Sequence, residues 1–106
     1  MQISNDSLKA FKIIYCEYKK RRKSGFTKSD SIEFPDGSIE SLDAFSSWLR
    51  PDIESAIAEL VAKKLMWENV WGDNRITDQG LIFMENKPKE FFEDVSKLFD
   101  IASIFI

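Results

Sequence analysis

"LMWENVWGDNRITDQG", Leu65–Gly80, decides the fold, because two aromatic-rich runs, a turn and a helix start follow one another in sixteen residues. Leu65 to Trp71 and Arg75 to Thr77 read as two short strands, joined by Gly72-Asp73-Asn74, residues that tolerate the positive backbone angles of a hairpin turn. Thr77 suits the cap of a helix from Asp78 to about Asn86, its hydroxyl accepting from one of the orphan amides of the first turn. On the other side of the hairpin, Ile53, Ile57, Leu60 and Val61 share one face of a helix that Pro51 opens and that runs to about Lys64.

Further upstream, Ser41 is placed to cap a helix carrying Leu42, Phe45, Trp48 and Leu49, which Pro51 ends. In "SIEFPDGSIES", Ser31–Ser41, Ile32 and Phe34 alternate with Ser31 and Glu33 before a Pro-Asp-Gly turn, the pattern of a short strand or hairpin. The first helix is capped by Asn5, Asp6 or Ser7, and Leu8, Phe11, Ile14, Tyr15 and Tyr18 form its apolar side. It should end near Gly25, with "KKRRK" in its last turns, where cations complement the negative end of the helix dipole. Pro88 starts a last helix that continues to residue 106.

Helix, strand, helix, proline-marked turn, helix, hairpin, helix is the order in which this sequence resembles the winged-helix superfamily. "AELVAKKLMWEN", a hairpin and "RITDQG" are similar to the winged-helix passage in which a leucine-rich third helix runs into a strand, a wing and a Leu-Thr-x-x-Gly helix start. Leu60, Leu65, Ile76, Thr77 and Gly80 hold the matching places, and Lys64 stands where that passage usually has glycine. The resemblance covers Leu8 to Asn86. It implies an α+β, mainly α fold, a winged helix-turn-helix with a short hairpin wing (residues 1–86), followed by an extra C-terminal helix (residues 87–106). It also implies DNA binding and transcriptional regulation, with the third helix in the major groove and the wing against a flanking groove or backbone. Fold alone does not assign function, so the residues themselves must suit that role.

With 106 residues, 43% of them apolar, the chain is sized for one domain with its own core. Its 15 basic and 18 acidic side chains give a net charge of -3, whereas small DNA-binding domains usually carry a positive excess. Charge is unevenly spread: Lys9 to Lys28 has eight basic residues and one acidic, net +7, while Ser29 to Ala62 has eight acidic and one basic, net −7. One cysteine, Cys16, excludes an internal disulfide, and the opening residues lack the apolar stretch of a secretory leader, so a cytoplasmic setting is expected, with no membrane association.

On the third helix the core stripe turns Ser55, Ala58, Glu59 and Ala62 outward, with Asp52 and Glu54 near its start. Base edges are read mainly by Arg, Lys, Asn and Gln, none of which precedes Lys63 on this helix, and carboxylates repel a phosphate-lined groove. Asp52 and Glu54 complement the positive helix start; Ser55, Ala58 and Ala62 form either a solvated face or a flat contact for another protein. DNA contact then falls to Lys19, Lys20, Arg21, Arg22 and Lys23, a run that is equally a solvated helix end or a site for an acidic partner, and to Asn74 and Arg75 in the wing. Trp67 and Trp71 are read as core, with stacking on a ligand as the alternative. With no histidine, no cysteine cluster and no phosphate-binding glycine loop, no catalysis, metal or cofactor is expected. The carboxylates Asp30, Glu33, Asp36 and Glu40 lack calcium-loop spacing and read as solvated turns.

In "EFFEDVSKLFDIASIFI", Phe91, Val95, Leu98, Ala102 and Phe105 recur at 4-3-4-3 spacing, with Phe92, Phe99 and Ile106 beside them, as in a helix-pairing seam. Part of the seam should cover the first helix. Ile101 and Ile104 lie off it, and the exposed apolar surface they create favours a homodimer through this helix. Double-stranded DNA, a protein partner and a second copy of the chain are thus the candidate partners.

Overall fold

In a computed structural model describing residues 2–97, the chain is an α+β domain, mainly helical, with one small antiparallel sheet. Helix α1 (Asn5–Lys23) is the central element. Its cap is Ser4, one residue earlier than the sequence predicts, whose Oγ accepts from the Ser7 amide at 3.2 Å. Ala10, Phe11, Ile13, Ile14, Tyr15, Cys16 and Tyr18 are all buried, so α1 is enclosed on more than the one predicted face. It closes in a paired turn: the Gly25 amide bonds the Arg22 carbonyl and the Phe26 amide the Arg21 carbonyl, with Gly25 left-handed at φ 99°.

The segment predicted as a strand or hairpin is divided differently. Thr27 caps a one-turn helix, α2 (Lys28–Ile32), and only Glu33–Phe34 is extended, as β1. Beyond Pro35 the chain turns, with Gly37 at φ 81°, instead of returning as a second strand. The helix predicted from Ser41 shrinks to a single 3-10 turn, Asp43–Phe45. Ser41 does not cap it: its hydroxyl donates to the Ser38 carbonyl, and Ser46 and Ser47 follow the turn. Serines compete for backbone groups in this way and weaken a short helix. Phe45 is still buried, edge-on to Trp48, whereas Leu49 projects into solvent.

Helix α3 (Arg50–Ala62) has Pro51 in its first turn and buries Ile53, Ala56, Ile57 and Leu60. It ends as α1 does: the Lys64 amide bonds the Val61 carbonyl and the Leu65 amide bonds the Leu60 carbonyl. Lys64, at φ 64°, occupies the left-handed position that glycine fills after α1.

The hairpin strands are shorter than predicted, β2 (Met66–Glu68) and β3 (Asn74–Ile76), with Met66 opposite Ile76 and Glu68 opposite Asn74. β3 also pairs antiparallel with β1, Phe34 opposite Asn74, giving the order β1-β3-β2. Asn74 is therefore a strand residue. The connection is Asn69 to Asp73, organised by the Asn69 side chain, whose Oδ1 accepts from the amides of Trp71 and Asp73. Met66, Ile76 and Phe34 point into the core, whereas Trp67, Arg75 and Glu33 share the opposite face.

Thr77 caps α4 (Asp78–Glu85), accepting from the Gly80 amide while its hydroxyl donates to the Lys64 carbonyl at 2.7 Å. Gly80 lies so close to the Leu65 carbonyl that no Cβ fits there. After Pro88 the chain makes a 3-10 turn, Lys89–Phe92, and then α5 (Glu93–Ser96), which packs on α1. Among the described residues no helix is long and apolar enough to cross a membrane.

Candidate interaction surface

Arg21 is committed to the fold. Its Nε donates to Glu17 at 3.0 Å, its Nη1 donates to the carbonyls of Ser31 and Glu33 at 3.3 and 2.7 Å, and the guanidinium lies 4.3 Å from the centroid of the buried Phe34 ring. Arg22 donates to the Phe26 carbonyl, Lys19 is half-buried, and Lys20 and Lys23 are exposed. Arg75 is held in the sheet's outer face, 4.3 Å above the Trp67 ring and 3.5 Å from the Glu33 carboxylate. Asn74 is buried rather than presented by a turn, its Nδ2 donating to Glu68 at 3.0 Å and more weakly to the Trp67 carbonyl.

On α3, Ser55, Ala58 and Ala62 are exposed, as the periodicity predicts. Glu59 is different. Its Oε2 accepts from the Ser4 amide at 3.0 Å, and its Oε1 accepts from the hydroxyls of Ser4 and Ser7 at 2.8 and 2.6 Å. Those donors, the Ser7 hydroxyl foremost, hold the Glu59 carboxyl below the usual carboxylate range. The side chain predicted to point at a partner instead clamps α3 to the start of α1.

Between α3, the hairpin and the turn after β1 lies an open groove of about 430 Å³. Ile57, Ala58 and Val61 contribute apolar surface from α3; Asp36, Glu40, Glu54 and Glu68 bring four carboxylates and Arg50 the one cation. Arg50 is already paired with Glu54 at 3.1 Å. Among the described residues Asp36, Glu40 and Glu68 form no ion pair. The turn is moored to the hairpin: the Asp36 amide donates to Asp73 Oδ1 at 2.9 Å, a bond that lowers the Asp73 pKa, and Gly72 leaves room for the Asp36 carboxylate.

The tryptophans of the hairpin are not core. Trp67 is 41% and Trp71 76% exposed, and Val70 between them is 91% exposed. Trp67 stands on the strand but on the sheet's outer face with Arg75, and the strand ends at Glu68, which leaves Val70 and Trp71 on the loop. Asp36, Glu40 and Glu68 were missed as a group because the pairing of β1 with β3 brings the turn that carries Asp36 and Glu40 to the hairpin that carries Glu68. The run of acidic residues from Asp30 to Glu40 was a signal for the first two alone.

At the C-terminal side, Phe92 and Val95 are enclosed against α1, with Phe92 stacked on Tyr15 at 5.5 Å between centroids. Phe91 is half-buried beneath the Lys12 ammonium. Val95 is thus part of an intramolecular contact; Leu98, Ala102 and Phe105, with Phe99, Ile101, Ile104 and Ile106, lie outside the described residues. The lone Cys16 is buried, and desolvation pushes its thiol pKa up to about 12, far from a nucleophile's range. No protein-family model matches the chain, and neither a curated protein nor a solved structure matches it.

Proposed function

We propose that the chain is a non-catalytic domain of winged-helix type that docks another protein through α3 and the β2–β3 hairpin. The order α1, β1, 3-10 turn, α3, hairpin, α4, with β1 bonded to β3, supports the winged-helix reading. One observation carries the choice of partner: the groove where a winged-helix reader meets DNA carries four carboxylates against one paired arginine. A phosphate backbone is attracted by released counterions and cationic side chains, and this surface offers the opposite charge. Arg21 and Arg75, two of the cations the sequence offers for phosphate contact, are engaged by carbonyls, a carboxylate and aromatic rings. What remains is an open groove, partly apolar and acidic, a surface for protein contact.

The test is selection from random duplex DNA at physiological salt, with direct titration of a mixed-sequence duplex. No enriched motif and a Kd weaker than about 100 μM, the weak end of ordinary non-specific binding, is the expected outcome. An enriched motif whose binding Ser55→Ala abolishes would make α3 a sequence reader and overturn the proposal.

A further inference from the structure

Resting on the protein-contact reading, we infer that the α3–hairpin groove receives a cationic, partly apolar peptide segment of the partner. The inference joins two independent features. The first is charge: Asp36, Glu40 and Glu68 surround a groove whose one cation among the described residues, Arg50, is paired with Glu54. Carboxylates left without a cationic partner around a concave surface attract lysine or arginine, and such complementarity steers encounter and selects partners more than it adds affinity. The second is apolar surface. Ile57, Ala58 and Val61 line the groove, and the chain neighbours of two lining residues, Trp71 beside Gly72 and Leu49 beside Arg50, are exposed at 76% and 70%. Arginine and lysine suit such a site, since their aliphatic stems cover apolar surface while the charged head reaches the carboxylates. The volume of about 430 Å³ falls within the range of roughly 300–1,000 Å³ typical of ligand clefts. Ala58 contributes a small side chain at the middle of α3, leaving the groove open above it.

An anionic occupant is disfavoured by the same carboxylates, and a metal ion by their spacing, since no three ligating side chains cluster among the described residues. A second copy would have to offer its α1 cations, of which Arg21 and Arg22 are already bonded within their own chain. A separate basic segment fits best.

The experiment screens a library of random twelve-residue peptides against the full chain at about 150 mM salt, where surface charge is screened beyond ~8 Å. Enriched peptides are expected to combine Arg or Lys with a neighbouring apolar residue, and in NMR titration to shift the amides of Ile57, Ala58, Val61 and Gly72. The variant D36N/E40Q/E68Q should weaken them ~8-fold or more, the product of three exposed ion pairs each worth a factor of about 2–5. Gln at position 68 keeps an acceptor for Asn74; should this variant melt early, D36N/E40Q leaves that bond intact and should still weaken binding ~4-fold or more. Acidic or uncharged peptides that shift the same amides would overturn the cationic occupant and leave the protein-contact reading standing. No enrichment, or shifts confined to other surfaces, would overturn both. A concentration-dependent doubling of mass that D36N/E40Q/E68Q abolishes would replace the separate partner with a second copy.

Discussion

Lys64 and Gly25 occupy the same position in two matching helix ends, and the backbone there is left-handed at φ 64° and 99°. An L side chain pays about 1–2 kcal/mol in that region, whereas glycine pays only its larger unfolded-state entropy, about 0.5–1 kcal/mol. Lys64→Gly should therefore raise stability by about 0.5 kcal/mol, and Gly25→Ala, with open space around its Cβ, should lower it by about 1 kcal/mol through the backbone alone, both read from urea midpoints. Gly80 is a different case. Its conformation is ordinary, but a Cβ would overlap the Leu65 carbonyl and touch Phe11, so Gly80→Ala must separate α4 from β2 and should cost ~3 kcal/mol. Glu59 supplies a pH dependence. Its folded pKa lies below the unfolded value of about 4.3, so its contribution is complete above that pH and is lost as pH falls through the folded value. Unfolding free energy measured from pH 6 down to pH 3 should fall less steeply in Glu59→Gln than in the unmutated protein; identical slopes would show that the clamp on Ser4 and Ser7 does not hold in solution.

Helices α1, α3 and α4 were legible because their signals are local. Thr77 caps its own helix three residues on, Pro51 begins α3, and the stripe Ile53, Ile57 and Leu60 is buried as its spacing predicts. A short strand around Phe34 was expected, but not its pairing, which depends on the free edge of β3 far along the chain, and the helix expected from Ser41 proved to be a 3-10 turn. The surface suffered most from this distance effect. Glu59 reads as outward until Ser4 and Ser7 arrive beside it, and "KKRRK" reads as one uniform run although Arg21 is built into the joint between α1, α2 and β1. That difference can be measured. Arg21→Gln removes donors to two backbone carbonyls and should cost about 1–2 kcal/mol, whereas Lys20→Gln, on the solvent side of the same helix, should stay within about 0.5 kcal/mol. Equal melting temperatures for the two variants would mean that the run is a solvated helix end throughout.

Residues beyond Asn86 contribute to the core, as expected of a C-terminal segment that packs on the first helix. α1 is buried on several faces, and the face carrying Tyr15 is covered by Phe92 and Val95, which are 2% and 0% exposed. Apart from its two ends and Lys9, α1 is largely enclosed, so each element around it helps to keep its apolar residues dry. Burial of one Phe and one Val side chain contributes about 1.5–3 kcal/mol apiece by transfer, and truncating a buried Phe to Ala costs about 3–5 kcal/mol once the cavity is included. Set against a domain stability of roughly 5–15 kcal/mol, losing both is a large fraction of the whole. A chain ended after Asn86 should therefore lose cooperative unfolding or aggregate, and Phe92→Ala in the full chain should melt well below the unmutated protein while keeping its helical circular dichroism at low temperature. A soluble 1–86 fragment with an unchanged melting temperature would instead make residues 87–106 an appendage and free Phe91, Phe92 and Val95 for a partner. The expected result removes Phe92 and Val95 from the surfaces open to a partner, because both are already occupied in holding α1 in place.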